Sequence, residues 1–274
     1  MVIVMDKTQQ QLLLEIDKLN KAQVRIKRKT TMMLCIIALL VLITSTLAWF
    51  TLNSFASVEN IQMDITTGVD LRVDMVDHGP DIEQYKKVIT NEMINSYLSA
   101  NGNYTLADQL LDPVTTRNGI NFESEQGNTR VAGRDTFLEF DCYFIASTDM
   151  WVHLSSDDAP DMQGTSVTTT ETGLKAEVVQ AVRVGFEKDG TTAIYEPNKV
   201  GSAVNGQNTF DLAVPMRYSN DTRLFHLNEL EPKKVTIRVW AEGNDPQCDD
   251  DVQRSNLTVK LLFSGTDEEN IPFA

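Results

Sequence analysis

Apolar and polar residues alternate along much of the chain after residue 56. From Val69 to Met75 every second residue is apolar and the residues between them are charged, which is the two-residue period of a half-buried strand. Comparable patterns predict strands at 57–65, 68–76, 138–144, 151–154, 178–187, 234–241 and 257–264, with weaker candidates at 191–195 and 209–214. Short strands in this number, separated by turn-rich segments, predict a mostly β fold of the sandwich type.

A helical pattern interrupts this alternation early in the domain. Between Asp81 and Ser99 apolar residues recur at three- and four-residue steps, which predicts a helix. A second, shorter helix is predicted near Leu106 to Leu111. The expected fold is therefore a β-sandwich with a helical insertion near residues 81–111.

The most apolar stretch precedes this domain, in a segment between Lys29 and Glu59 that holds no charge. Residues 32–50 approach the length of about 20 residues that a helix needs to cross a bilayer. Their unbroken apolar part, residues 32–43, also has the length of a signal-peptide core. Thr46 and Ala48 occupy the two positions that signal peptidase recognises before a cleavage site, which here would lie before Trp49. Two interpretations stay open, a cleaved signal peptide and a permanent transmembrane helix.

Charge divides the chain at the same place. Residues 1–50 hold seven Lys and Arg against three acids and carry +4, so the whole-chain charge of −15 leaves −19 on residues 51–274. Basic residues just before the apolar run place a leader, residues 1–31, in the cytoplasm, with an amphipathic helix over 5–24. Residues 51–274 are then extracellular. A domain this acidic is repelled by phosphate backbones, which argues against a nucleic-acid partner.

Carboxylates cluster in the segment 242–251. Their oxygens suit Ca²⁺, and the candidate ligands are Glu242, Asp245, Asp249, Asp250 and Asp251. The spacing is not that of an EF-hand, and a solvated acidic hairpin tip without a bound ion is the preferred interpretation. We therefore expect no cofactor.

Two of the three cysteines fall in the exported part of the chain. Cys35 lies inside the apolar run, whereas Cys142 has the position of a core residue and Cys248 that of a loop residue. A disulfide between Cys142 and Cys248 is one interpretation. Two separate thiols are preferred, because sequence spacing alone does not supply the geometry of a bridge.

Motifs of catalysis are absent from the sequence. His78, His153 and His226 stand far apart, and none belongs to an HExxH pair. The sequence also lacks a G-x-S-x-G elbow, a P-loop and a CxxC pair. We therefore expect a protein that is not an enzyme.

Two segments, Ser45–Thr51 and Thr66–Leu71, resemble exported proteins of Gram-positive bacteria: camelysin, the TasA-like biofilm matrix proteins and uncharacterised clostridial relatives. Signal peptides of this SipW-dependent type end in T-x-A, before an aromatic-rich start and a G-x-L-D-L-like strand. Five residues match that pattern: Thr46, Ala48, Phe50, Gly68 and Leu71. Segments at 111–115, 181–184 and 239–245 are also similar to the clostridial relatives.

The resemblance implies a jelly-roll-like β-sandwich that signal peptidase releases from the membrane after Ala48, and some members polymerise into matrix fibres. Five residues beyond or at this junction are candidate strand donors: Trp49, Phe50, Leu52, Phe55 and Val58. An open sheet edge in the same copy or in the next copy can accept such a strand. We expect a non-enzymatic structural protein of the cell surface or extracellular matrix. The alternative is a membrane-anchored surface binding module for a polysaccharide or a protein partner.

Overall fold

A computed structural model describes residues 7–51, 56–66, 70–124, 126–156, 164–197, 209–212 and 218–273. The chain divides into two compact units, Met1–Asn53 and Ser54–Ala274. The described helices are α1 (Lys7–Thr51), α2 (Asn91–Gly102) and α3 (Val178–Ala181). In α1 the described side chains are those of residues 15–21 and 23–40.

The first unit is described as one continuous helix, α1, which passes through both the predicted leader and the predicted signal or transmembrane segment. At the junction the hydroxyls of Thr30 and Thr31 donate to the carbonyls of Ile26 and Lys27, at 3.0 and 2.9 Å. These polar side chains are satisfied by the helix itself, so they do not end it. The boundary expected at residue 31 is therefore one of composition and not of secondary structure.

Within the described residues, no helix combines the length and the apolarity that crossing a bilayer requires.

Sixteen strands are described in the second unit. They are β1 (Ala56–Ile65), β2 (Leu71–Asp74), β3 (Val88–Ile89), β4 (Leu110–Leu111), β5 (Thr115–Thr116), β6 (Phe122–Glu123), β7 (Thr129–Arg130), β8 (Leu138–Ala146), β9 (Met150–Leu154), β10 (Ser166–Thr168), β11 (Val182–Lys188), β12 (Thr191–Tyr195), β13 (Thr209–Phe210), β14 (Phe225–Leu227), β15 (Lys233–Ala241) and β16 (Ser255–Thr266). This content confirms the prediction of a mostly β protein.

The strands form three sheets. The first sheet has the order β14-β9-β16-β1-β3, with β10 also beside β16 and β4 also beside β1. The second sheet has the order β13-β12-β11-β15-β8-β2, and the third, small sheet has the order β5-β6-β7. In the first sheet β1 and β16 pair in parallel, and the other described pairs are antiparallel.

One hydrophobic core joins the first and second sheets. On β8 the predicted alternation is confirmed, because Leu138, Phe140, Cys142 and Phe144 are all fully buried. The ring of Phe144 meets rings of the first sheet at centroid distances of 5.1 Å, in edge-to-face contacts with Phe225 and Phe263. Contacts of this geometry between aromatic rings stabilise the packing of the two sheets.

The third sheet covers part of the second sheet and forms a smaller core around Trp240. Phe122 of β6 lies edge-on to Trp240, with ring centroids 5.2 Å apart, and stacks on Phe137 at 4.1 Å. A Cβ atom at Gly185 would lie 3.0 Å from the Trp240 ring, so a larger residue at this position would have to displace the ring by a few tenths of an ångström.

The helix predicted at 81–99 is wrong over its first half. Residues Ile82–Gln84 form a single 3₁₀ turn, and Val88–Ile89 pair as β3 with β1. Lys86 exchanges two backbone hydrogen bonds with Val73, at 2.8 and 3.0 Å, which holds the chain extended before α2 begins. Pairing with distant strands overrides the helical spacing of the apolar residues here.

Three smaller expectations are also corrected. The short helix expected at 106–111 is a 3₁₀ turn, Leu106–Asp108, followed by β4, so α2 is the helix described in the insertion at 81–111. The strand expected at 178–187 starts with one helical turn, α3, before β11. The strand expected at 68–76 is described over Leu71–Asp74.

Candidate functional site

The first strand of the second unit, β1, forms a continuous parallel pair with the last strand, β16. The register runs from Ala56 opposite Ser255 to Ile65 opposite Phe263. Its side chains enter the core between the two main sheets. A strand from the start of the domain therefore completes a sheet with a strand from its end.

A shift in register between Val58 and Asn60 explains which side chains of β1 are buried. Val58 and Ile61 are three residues apart, so simple alternation would place them on opposite faces. The irregularity adds one residue to β1, which returns Ile61, Met63 and Ile65 to the buried side. Val58, Ile61 and Met63 are completely buried.

The other edge of β1 is held by short, separate pieces of chain. At its start Ala56 and Ser57 pair with β4, and towards its end Met63 and Asp64 pair with β3. Between them the backbone N–H of Ile61 donates to Asn91 Oδ1 of α2 at 2.8 Å. Most of the backbone pairing of β1 is therefore with β16.

The structure places one predicted strand donor, Val58, inside its own domain. Trp49 and Phe50 belong to α1, and their side chains, like those of Thr46 and Ala48 at the predicted cleavage junction, lie outside the described ones. Leu52 and Phe55 lie outside the described residues.

The five carboxylates proposed as calcium ligands separate into two groups. Glu242 and Asp245 are buried. Asp249, Asp250 and Asp251 are exposed at a 3₁₀ turn, where Asp249 Oδ1 accepts from the Asp251 N–H at 2.9 Å. In the part of the chain that is described, no group of three or more His, Cys, Asp or Glu residues is arranged to hold a metal ion.

A buried arginine explains why the first group turns inwards. Arg183 of β11 is 1% exposed, and its guanidinium donates to Glu196 at 2.9 Å and to Asp245. It also donates to the carbonyl of Val182 at 3.1 Å. Sequence reasoning missed this cluster; the available signal was an arginine between two valines of an apolar strand, since a buried cation needs carboxylate partners.

Glu242 is fixed beside the same cluster. Its Oε2 accepts from the indole N–H of Trp240 at 3.1 Å, and burial raises the pKa of its carboxyl above the ordinary value. Together with the ion pair at Asp245, this contact holds the start of the acidic loop against the second sheet. We assign these residues a structural role.

His153 is a second buried titratable group, on β9 of the first sheet. Its Nδ1 lies 3.2 Å from Thr222 Oγ1 and its Nε2 lies 3.1 Å from Thr266 Oγ1. Burial, assisted by the nearby charge of Arg223, lowers the pKa of the imidazole to about 4. The ring is therefore neutral at pH 7.

The fold gives Cys142 and Cys248 different surroundings. Cys142 is buried on β8 with its Sγ 3.5 Å from Met75 Sδ, and it pairs in register with Val235 of β15. Cys248 is half-buried on the loop beyond the far end of β15. The six residue steps from Val235 to Ala241 span roughly 20 Å along the strand, whereas a bridge needs Cα atoms within about 7 Å. Both cysteines are thiols in the structure.

No protein-family model, curated protein or solved structure matches the chain.

Several polar depressions open on the described surface of the second unit, and two of them bear on function. One, of 370 Å³, is lined by Thr116, Arg117, Asn118, Asn121 and Glu123 beside the third sheet. The other, of 350 Å³, lies between the end of α2 and residues 132–134. Sequence reasoning found neither, because each depression is lined by segments that are apart in the sequence and meet only in the fold.

Proposed function

We propose that the protein is an exported structural protein of the cell surface or extracellular matrix, which assembles when copies exchange β1. The fold that we assign to its second unit is a jelly-roll-like β-sandwich. The observation that carries the proposal is the parallel pairing of the first strand with the last. As the first strand, β1 can leave one copy and join another without threading the chain through a loop.

Exchange replaces every contact of β1 with the same contact in a neighbouring copy. The free energies of the closed and exchanged forms therefore differ little, and the barrier is the release of β1. Burial of each of Val58, Ile61 and Met63 contributes roughly 1.5–3 kcal/mol, so release from a folded copy is slow. Assembly is expected mainly when domains fold side by side, as they do during export.

The geometry of exchange predicts filaments. A strand given by one copy to the next makes a head-to-tail contact, which need not close into a ring. The charge of −19 on residues 51–274 opposes association. Assembly should therefore increase at acidic pH, where carboxylates are protonated, and at high ionic strength, where the repulsion is screened.

Cleavage after Ala48 belongs to the same proposal, since it separates the domain from the membrane. The sequence Thr46-Leu47-Ala48 supports it. Terminal sequencing of the extracellular protein should find Trp49 first. If only full-length protein is recovered, and only from the membrane fraction, the leader is an anchor.

Cysteine crosslinking tests exchange directly. Gln62 and Lys260 are half-buried register partners on β1 and β16, and neighbouring strands lie at about 4.8 Å, a separation that a disulfide can bridge. We would place cysteines at both positions in a chain that also carries Cys35→Ser and Cys248→Ser. The matched control places them at Tyr143 and Lys234, partners on β8 and β15 of the second sheet.

After assembly at acidic pH and oxidation, the β1–β16 pair should give a ladder of covalent oligomers on denaturing gels. The control pair should give monomers, since both of its strands lie within the domain. A sample that assembles but crosslinks only within single chains excludes exchange of β1. A sample that stays monomeric at high concentration and acidic pH excludes assembly.

The second candidate is a surface binding module held in the membrane by α1, and the two polar depressions favour it. Biofilm and pellicle assays of a deletion strain separate the two functions. Loss of matrix supports the structural protein, whereas intact matrix with loss of attachment to a ligand supports the binding module. We assign no catalytic activity and no metal cofactor to the protein under either candidate function.

A further inference from the structure

The depression of 350 Å³ beside α2 combines aromatic walls with groups that donate and accept hydrogen bonds. Tyr97 and Tyr104 are half-buried in it, and Asn101, Arg134 and Glu139 also line it. The volume falls at the lower end of the range for small-molecule sites, about 300–1,000 Å³. It is large enough for one or two sugar rings.

A glycine at the end of α2 sets the position of the Tyr104 ring. The helix stops at Asn103, whose φ of 57° turns the chain back while its N–H donates to the Ser99 carbonyl. The ring of Tyr104 then lies against the last turn. A Cβ at Gly102 would stand 2.3 Å from Tyr104 Cε1, so a larger residue at this position displaces the ring.

Both phenols remain protonated at neutral pH; the Tyr97 hydroxyl bonds to the Asp141 carboxylate, and the Tyr104 hydroxyl can donate as well as accept. Burial raises the pKa of Tyr97 to about 12, and burial together with Glu139 raises the pKa of Tyr104. Asn101 is held by the bond from its Nδ2 to the Tyr97 carbonyl at 2.8 Å. The cleft therefore presents hydroxyl, amide, guanidinium and carboxylate groups within one small volume.

The charges and the polar lining of the cleft disfavour several classes of ligand. Glu139 accepts from Arg238 Nε at 2.6 Å, so its charge is already balanced and does not call for a cationic ligand. Arg134 faces the same cleft as this carboxylate, which disfavours a phosphate. The polar lining disfavours a purely apolar ligand. A neutral ligand rich in hydroxyl groups remains, because each hydroxyl both donates and accepts.

We propose that this cleft binds a neutral saccharide. Tyr97 and Tyr104 contact the apolar faces of the sugar rings, and Asn101, Arg134 and Glu139 bond their hydroxyls. This inference rests on the binding-module function proposed above and is independent of the exchange of β1. Failure of the crosslinking experiment therefore leaves it intact, and its own failure leaves exchange intact.

The test is calorimetric titration of the full-length protein with chitotetraose, cellotetraose and maltotetraose. We expect saturable binding of at least one of them. For that sugar Tyr104→Ala should lower the affinity at least tenfold, and Gly102→Val should lower it severalfold by displacing the ring. Tyr104→Phe keeps the ring and should retain most of the affinity. Arg117→Gln alters the other depression and should bind as the wild type does.

Absence of saturable binding with all three sugars overturns the proposal. So does wild-type affinity in Tyr104→Ala, and so does loss of binding in Arg117→Gln, which would place the ligand beside the third sheet. Thermal unfolding of each variant verifies its fold. If Tyr104→Ala unfolds, chemical-shift mapping of the wild type with the bound sugar locates the binding site instead. Shifts confined to other surfaces would overturn the proposal.

Discussion

β1 and β11 occupy comparable places and are held in different ways. Each lies inside its sheet, β1 between β16 and the short strands β3 and β4, and β11 between β12 and β15. Val58 of β1 and Val184 of β11 are equally buried. β11 lies in the middle of the chain and its Arg183 bonds to two other segments, whereas β1 is the first strand and pairs mainly with one neighbour.

Under the exchange that we propose, the difference teaches that the strand that moves is selected by its position in the chain and not by poor packing. A strand in the middle of a chain is connected on both sides to elements that must move with it. In the full-length chain β1 is connected to α1 on one side and to β2 on the other, whereas in the form that we propose is cleaved after Ala48 only its connection to β2 leads to another strand. Tight burial then fixes the rate of exchange without preventing it.

The largest effect is expected where β11 is tied to its neighbours. Arg183→Met leaves Glu196 and Asp245 buried without their cation, which should lower the free energy of unfolding by about 3–5 kcal/mol. Urea unfolding measures this, with Arg117→Met at an exposed position as the control. A loss below about 1 kcal/mol would mean that the cluster does not stabilise the second sheet.

Matched valine substitutions test whether the two strands are packed equally well. Val58→Ala and Val184→Ala remove the same atoms from fully buried positions, so each should cost roughly 2–3 kcal/mol. We expect the two values to agree within about 1 kcal/mol in urea unfolding. A much smaller cost at Val58 would show that β1 is more loosely packed than β11, and the conclusion that the two strands are packed equally well would be wrong.

Two buried titratable groups should also respond to acid with opposite signs. Unfolded His153 takes up a proton below about pH 6.5 and the folded form does so only below about 4, so the first sheet loses stability as the pH falls through this interval. The expected loss from pH 7 to 5 is about 2 kcal/mol. Glu242, whose pKa is raised by burial, acts in the other direction.

Urea unfolding of His153→Gln at pH 7 and pH 5 isolates the histidine. The variant should lose about 2 kcal/mol less than the wild type over this change of pH. An identical pH dependence in both proteins would show that His153 is not the titrating group.

The smallest effect is expected at the exposed end of the acidic loop. Asp250→Asn and Asp251→Asn touch neither the core nor the Arg183 cluster, so each should change stability by less than about 0.5 kcal/mol. Millimolar calcium should leave the melting temperature of the full-length protein unchanged. A clear calcium-dependent rise, lost in these variants, would establish an ion site on the loop.

Local patterns predicted the strands in which one face is buried and the other is polar. The alternation predicted on β8 and β16 is confirmed, because one face of each strand is buried. The first half of the helix expected at 81–99 was wrong, because β3 pairs with β1 and Lys86 pairs with Val73 of β2. The third sheet was missed since its strands are two residues long and carry no period.

The candidate sites depended even more on contacts that spacing does not reveal. The sequence indicated that the segment before residue 65 would add to a sheet, but not that its partner would be β16, almost two hundred residues away. The acidic loop was visible as composition, whereas its division into buried and exposed carboxylates depends on Arg183. The cleft beside α2 depends on a helix end and a loop that meet only in the folded domain.

The parallel pairing of β1 with β16 also determines how the domain carries mechanical load. A pull between residue 56 and residue 266 acts on the two strands in opposite directions along their common axis, because their starting points lie at the same end. The force is then applied as shear, and the hydrogen bonds along the pair resist together. An antiparallel pair loaded at the same two positions would unzip one bond after another. Either the closed or the exchanged form thus gives a domain suited to bearing tension along its length.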